Sequence, residues 1–235
     1  MNAMTIQLAT RDLPASTSSS GCEGVVEASI GIDLTLLGAA HANASTSVGA
    51  VLPVGYANFS RLVSSACAAM RGGIDFVSLD KTFRSRSDDP RPTEAVKVAA
   101  WMLSRSEGGV SVEVPPTVGA INAAVGILSR SSRGRATIAV EPVEGCDLAA
   151  IAGAAAQARS AGIGFAVRTA AEDLTPSSIQ AIARFADSVH LLTGDPHRAR
   201  EARFALRSAA AAFDRQLTLL TEIGIIVSGS MPAAR

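Results

Sequence analysis

The sequence predicts an α/β chain of parallel strands alternating with helices, either a TIM-barrel-like (β/α) barrel, shortened or incompletely closed, or an open doubly wound parallel sheet. Three observations point there. Short apolar runs alternate with helical repeats from Ala28 to Val227, the pattern of parallel strands joined by helical crossovers. Most of the connections are short and punctuated by Gly or Pro. The chain is 48% hydrophobic but only 4% aromatic, so its core is made of the small and branched side chains that helix-on-sheet packing prefers. At 235 residues there is enough chain for one barrel. Residues 25–235 are read as that single domain, and residues 1–24, with the Ser/Thr-rich stretch Pro14–Ser20, as a mobile leader.

The elements follow in order. The first strand is Ala28–Leu37, where Ile30, Ile32, Leu34 and Leu36 alternate with smaller residues. A long loop from His41 to Gly55 comes next. Asn58 can cap a helix whose Phe59, Leu62, Val63, Ala66, Cys67 and Met70 share one face, and Gly72-Gly73 stops it. Ile74–Leu79 is the second strand, and Asp80 opens a polar loop to Pro92. Thr93 caps a helix to about Ser104. The third strand, Val110–Val114, ends at Pro115-Pro116, because proline cannot donate to a ladder. A helix with Ile121, Ala124, Val125 and Leu128 on one face leads to the fourth strand, Ala136–Glu141. Asp147 caps a helix through Ser160, Gly162 breaks it, and Ile163–Arg168 is the fifth strand. Thr175-Pro176 starts a helix to Ala186. Ser188–Leu192 is the sixth strand, with His190 along it. Asp195-Pro196 starts a long helix to about Arg215, and Glu222–Val227 is the seventh strand. Seven strands are one short of a full barrel, so closure requires a further strand or an irregular seam.

Composition narrows the function. Lys plus Arg equals Asp plus Glu at 21 each, which leaves no global field to draw in nucleic acid or anionic lipid. The basic clusters at Arg84 and Arg86 and at Arg130, Arg133 and Arg135 read as solvated loops. No apolar run reaches the roughly 18–20 residues of a membrane span, and the start lacks a signal peptide's basic and apolar regions. Cys22, Cys67 and Cys146 form neither a disulfide framework nor a zinc motif, which suits a cytoplasmic protein. His190 and His197 lack metal-ligand spacing. No Gly-x-Gly-x-x-Gly stretch, P-loop or Gly-x-Ser-x-Gly elbow occurs, so dinucleotide, nucleoside triphosphate and hydrolase-triad sites are disfavoured.

Two turns carry a family resemblance: Gly73-Ile74-Asp75-Phe76 at the second strand, and Ser132-Arg133-Gly134-Arg135 before the fourth. A further stretch, Leu174–Leu192, has a small-residue turn, a helix ending in Ala186-Asp187 and a strand. Gly194-Asp195-Pro196 then opens a helix rich in Ala and Arg. In these turns and in the order of its elements the chain resembles the luciferase-like flavin-dependent oxidoreductases. The resemblance implies a barrel monooxygenase that uses reduced FMN, or a related deazaflavin, on a small organic substrate, and that pairs as a homodimer. The alternative it leaves is a non-catalytic barrel paralogue with no cofactor of its own, or a flavin-binding or protein-partner subunit. Family members are longer. The shortfall is expected after Val140 and at the C-terminal closing helix.

In parallel α/β proteins, sites sit at the C-terminal ends of strands. That end offers His41, Asp80, Lys81, Thr117, Glu141, Arg168 and Thr193. His41 and Asp80 are the catalytic candidates, each with a plain alternative as a loop polar residue or a loop-ordering carboxylate. Glu141 is a pocket-wall candidate. Arg168 faces either a flavin or phosphate or, as a salt bridge, Glu141 or Asp80. The resemblance implies a flavin phosphate near hydroxyl donors at a helix start, where N–H groups and the helix dipole favour anions. Ser177 and Ser178 match it, with an ordinary capped helix as the alternative. Asp75 and the Arg133-Gly134-Arg135 turn precede strands and read as structural, the arginines through pairing with a carboxylate.

Overall fold

A computed structural model of the chain describes residues 3–11, 27–34, 59–79, 93–132, 134–143 and 145–226. Eight strands form a ladder that returns on itself: β1 (Ala3–Arg11), β2 (Glu27–Leu34), β3 (Phe76–Leu79), β4 (Gly109–Val114), β5 (Ala136–Val140), β6 (Gly164–Ala170), β7 (Ser188–Leu192) and β8 (Thr218–Ile226). The helices are α1 (Phe59–Arg71), α2 (Thr93–Leu103), α3 (Val118–Leu128), α4 (Leu148–Ser160), α5 (Pro176–Phe185) and α6 (Pro196–Ala211), with a 3-10 turn at Ala171–Asp173. The six parallel strands β3 to β8 alternate with α2 to α6 and form the curled, TIM-barrel-like part of the molecule. β2 pairs parallel with β3, whereas β1 pairs antiparallel with both β2 and β8.

The TIM-barrel-like α/β expectation therefore holds, and the open doubly wound alternative does not describe the ladder. One expectation is corrected. The start of the supposed leader, Ala3–Arg11, is a strand. Met4, Ile6 and Leu8 alternate there with Thr5, Gln7 and Ala9, a period-two pattern next to the Ser/Thr-rich stretch that suggested a leader. This strand fills the eighth position. It runs antiparallel, and such a neighbour needs no helical crossover, so the seam is irregular.

The helix caps behave as their sequences suggest. Asp147 Oδ1 accepts from the Ala149 and Ala150 N–H groups at 2.9 and 3.0 Å. Asp195 accepts from the His197 N–H at 2.8 Å. Each such cap is worth about 1 kcal/mol. At the end of α4, Gly162 adopts φ 72°, and the Ile163 N–H reaches back to the Ala158 carbonyl at 3.0 Å. This closure needs a left-handed residue. The last helix ends earlier than expected, at Ala211 rather than near Arg215. Asp214 supplies the left-handed turn there at φ 52°, and the Arg215 N–H reaches the Ala210 carbonyl at 3.0 Å. A glycine would have marked that stop; an aspartate in the left-handed region is a weaker signal. β8 correspondingly starts at Thr218 rather than Glu222.

The core lies between the strands' outer face and the helices. Val77, Leu79, Val112, Ile138, Phe165, Val167 and Leu191 pack there with Met102, Leu103, Ile121, Leu128, Ile151 and Leu206 from the helices, all buried. Burying a side chain of this kind contributes about 1.5–3 kcal/mol. Phe165 and Phe185 meet edge to face, with ring centroids 5.9 Å apart.

Candidate active site in the barrel lumen

Successive residues of a strand point to opposite faces. Here the apolar residues take the helix side, and the lumen receives a different set. The ladder aligns Ser78, Ser111, Thr137 and Gly164 across β3 to β6. A second row aligns Glu113, Ala139, Ala166, Ser188 and Thr218 across β4 to β8. A third aligns Arg168, His190 and Leu220. Barrel interiors are usually filled by bulky branched residues. Among the described residues, this one holds mainly small, hydroxylated and ionisable side chains, with Phe76 and Leu220 beside them.

Among the described residues, its charged centre is an ion pair. Arg168 Nη1 lies 2.8 Å from Glu113 Oε2, with side chains 13% and 3% exposed. Both residues sit towards the C-terminal ends of their strands, where (β/α) barrels carry chemistry. Removing two charges from water costs several kcal/mol per ion, so such a pair persists only with close geometry. It gives the lumen a fixed donor side and a fixed acceptor side. His190 stands beside Arg168 in the ladder and is buried. Burial, and then the charge of Arg168, lower its pKa to about 3. At neutral pH it is therefore an uncharged imidazole that can both donate and accept a hydrogen bond.

The residues expected to form the site are dispersed. His41, Asp80 and Lys81 lie outside the described residues. Glu141 follows β5 and is half-buried beside Pro142. Arg168 does form an ion pair, with Glu113, a partner the sequence did not suggest; Asp80, one of the two expected partners, lies outside the described residues. Ser177 and Ser178 lie in the first turn of α5 and are tied into its cap. The Ser178 hydroxyl bonds the Thr175 N–H at 2.9 Å, and Thr175 Oγ1 accepts from the Ser178 N–H at 3.1 Å. Ser177 Oγ is 3.0 Å from Thr175 Oγ1. Thr117 caps α3, and Thr193 donates to Glu172 at 3.1 Å.

Glu113 was missed, and His190 was read only as a residue of a buried strand. The signal for both was parity. In Val110-Ser111-Val112-Glu113-Val114 the valines share one face and the serine and glutamate the other. In Ser188-Val189-His190 the histidine falls on the serine's face. Reading the strands as uniformly buried concealed it.

The N-terminal end of the barrel has the structural role expected of it, with one difference in partner. Arg135 donates to the carbonyls of Leu103 and Gly108, at 2.9 and 3.1 Å, and to that of Ser106, rather than pairing with a carboxylate. It thereby ties the α2–β4 connection to the start of β5. Gly108 in that connection lies against the Met70 sulfur, leaving no room for a Cβ. Asp187 accepts from the Phe165 N–H at 2.9 Å and lies 3.1 Å from Arg159 Nε and 2.9 Å from Arg215 Nη2. Between these anchors a cavity of about 310 Å³ enters the lumen from the strand starts.

No family model and no curated protein matches the sequence. Among solved structures, the chain is similar to DmoA from Hyphomicrobium sulfonivorans, with a TM-score of 0.50 and 11% identity, over 70% of this chain and 53% of that one. It is also similar to EDTA monooxygenase (EmoA) from Chelativorans sp. BNC1, with a TM-score of 0.48 and 13% identity, over 70% and 56%. A mutant tryptophan synthase alpha-subunit from Pyrococcus furiosus gives a TM-score of 0.46 and 13% identity, over 65% and 68%. The chain spans just over half the length of the first two. At this level of identity the likeness to DmoA is one of fold, and a barrel fold hosts many chemistries. Among the described residues no helix is long and apolar enough to cross a membrane, and no group of three His, Cys, Asp or Glu side chains is placed to hold a metal ion.

Proposed function

We propose that this chain is a luciferase-like (β/α)-barrel oxidoreductase that binds reduced FMN, or a deazaflavin, together with a small organic substrate at the C-terminal end of its strands. The observation that carries this reading is the buried Arg168–Glu113 pair at that end of the lumen, 2.8 Å apart, with neutral His190 beside it. The family resemblance of the turns and the shared fold with DmoA support it. The donor set suits a flavin. Arg168 offers planar donors to an anionic or carbonyl-rich edge, and the N-terminus of α5, with Ser177 and Ser178 in its first turn, favours a phosphate. When bound, a reduced flavin supplies the reducing equivalents and the oxygen-reactive centre. The protein's part is to orient the ring, hold its polar edge and keep water out. The same reading carries a cytosolic homodimer.

The test is titration of the purified full-length chain with FMN and with a deazaflavin, in oxidised and reduced states, followed by flavin fluorescence and absorbance. The expected outcome is a Kd well below 1 mM for one of them, weakened at least tenfold by Arg168→Lys, which keeps the charge but loses the planar fork. Absence of binding below about 1 mM for both would sink the reading. A second reading is a non-catalytic paralogue that serves as a flavin-binding or protein-partner subunit. It is favoured by the engagement of the Ser178 hydroxyl in the α5 cap. Flavin binding with no substrate-dependent oxidation of the reduced cofactor would decide for it.

A further inference from the structure

The lumen has a second end, and its chemistry differs from the first. The cavity of about 310 Å³ enters from the strand starts, opposite to the end where the flavin is placed. Half-buried Phe76, Thr137, Ser188 and Thr218 line its mouth, and buried Ser111 and His190 lie deeper. Gly109 and Gly164 help to keep that mouth open, since a Cβ there would meet Phe76 at 3.2 Å and Thr137 Oγ1 at 3.0 Å.

Two features define what this space can take. The first is charge. Among the described residues, the charged side chains at its edge are already engaged: Arg135 donates to three backbone carbonyls, and Asp187 is held between Arg159 and Arg215. Among the described residues, the polar side chains that remain along the wall are four hydroxyls and a neutral imidazole, groups that donate and accept alike, beside Phe76 and Leu220. The second is an unmet hydrogen bond. Ser111 is 3% exposed, and its Oγ has no hydrogen-bond partner among the described residues. A buried hydroxyl left unpartnered is unfavourable, and a ligand hydroxyl or carbonyl in the cavity would offset that. The volume corresponds to about ten waters and lies at the lower limit of small-molecule pockets, which is monosaccharide size and too small for a whole flavin mononucleotide.

We propose that the N-terminal half of the lumen is a binding site for a small neutral polyhydroxylated molecule, of monosaccharide or cyclic polyol size, held by Ser111, Thr137, Ser188, Thr218 and His190 with Phe76 against its apolar face. The site meets the flavin reading only at His190, which faces both ends of the lumen, and it does not depend on that reading.

The test uses the full chain and a defined panel: D-ribose, D-glucose, ribitol and myo-inositol as neutral probes, with glucose 6-phosphate and gluconate as charged ones. Saturation-transfer NMR and calorimetry measure binding. The expected result is one-to-one binding of at least one neutral probe with a Kd below about 1 mM, weaker binding of the charged probes, and a loss of tenfold or more in both Ser111→Ala and Thr137→Val. Saturating FMN leaves the binding unchanged. Any of these results would overturn the proposal: no neutral probe binding below about 1 mM, tighter binding of a charged probe, or binding indifferent to both substitutions. A crystal structure grown with the tightest neutral probe and showing only ordered water in the cavity would do the same.

Discussion

The two faces of the same strands have opposite compositions. On β4, Val110, Val112 and Val114 turn towards the helices while Ser111 and Glu113 turn into the lumen. On β6, Phe165 and Val167 face out and Arg168 lies in the lumen. On β7, Val189 and Leu191 face out and His190 in. All of these residues are largely buried, so burial alone does not tell them apart. What differs is the cost of each burial. An outer-face side chain gains from dispersion and from leaving water. A lumen side chain loses solvation and must find a partner. The outer face thus stabilises the barrel, and the lumen face is a set of polar groups tolerated because the outer face is sound.

The contrast breaks most readily at the ion pair. Glu113→Ala leaves Arg168 buried without its carboxylate and is expected to destabilise the fold by about 3–5 kcal/mol, read from urea unfolding. The double replacement Glu113→Leu with Arg168→Met removes both charges and is expected to recover most of that loss. If the double variant is as unstable as the single one, the lumen is not a place where charge is merely tolerated. On the outer face, Leu206→Ala, at a fully buried position, is expected to cost about 2–5 kcal/mol through a cavity that no partner change can repair.

His190 sharpens the comparison through pH. Its folded pKa is lowered to about 3 by burial and by Arg168, against about 6.5 when unfolded. Below pH 6.5 the unfolded chain takes up a proton that the folded chain refuses. Stability from this group is therefore complete above pH 6.5 and falls by about 1.4 kcal/mol per pH unit as pH drops towards 3. Between pH 6.5 and 5 the expected loss is about 2 kcal/mol, and His190→Gln should remove that slope. Unfolding curves at the two pH values, for both proteins, check it.

Smaller effects close the series. Thr175→Ala removes the α5 cap, in which Thr175 and Ser178 bond each other's backbone N–H, and should cost about 1 kcal/mol. Ser111→Ala deletes a hydroxyl with no partner among the described residues, so it should change stability by less than about 0.5 kcal/mol or raise it. A clear destabilisation would mean that the hydroxyl has a constant partner in the free protein.

Much of the fold was legible because local signals agreed with tertiary ones. The Asp147, Thr175 and Asp195 caps, the Gly162 stop and the strand at Ser188–Leu192 can each be read from a few neighbouring residues, and each is present. The strand at Ala3–Arg11 carries a period-two pattern, but the Ser/Thr-rich stretch beside it suggested a leader, and its pairing with β8 at the other end of the chain has no local signal. The candidate site was less legible than the fold. Arg168 was identified as a cation at a strand end, but its partner Glu113 lies 55 residues earlier. No spacing rule links two strands separated by a third. Ser177 and Ser178 were identified by type and position, and their hydroxyls turn out to be held by Thr175.

By itself, then, the sequence determined the alternation of strands and helices, most helix caps and the apolar identity of the core. These depend on propensity, capping and periodicity within a few residues of one another. Only the tertiary structure decided how the barrel closes, which polar residues share the lumen, and that Arg168 meets Glu113. Those outcomes depend on strand register and on curvature around the whole ladder, which bring together side chains that no local pattern connects.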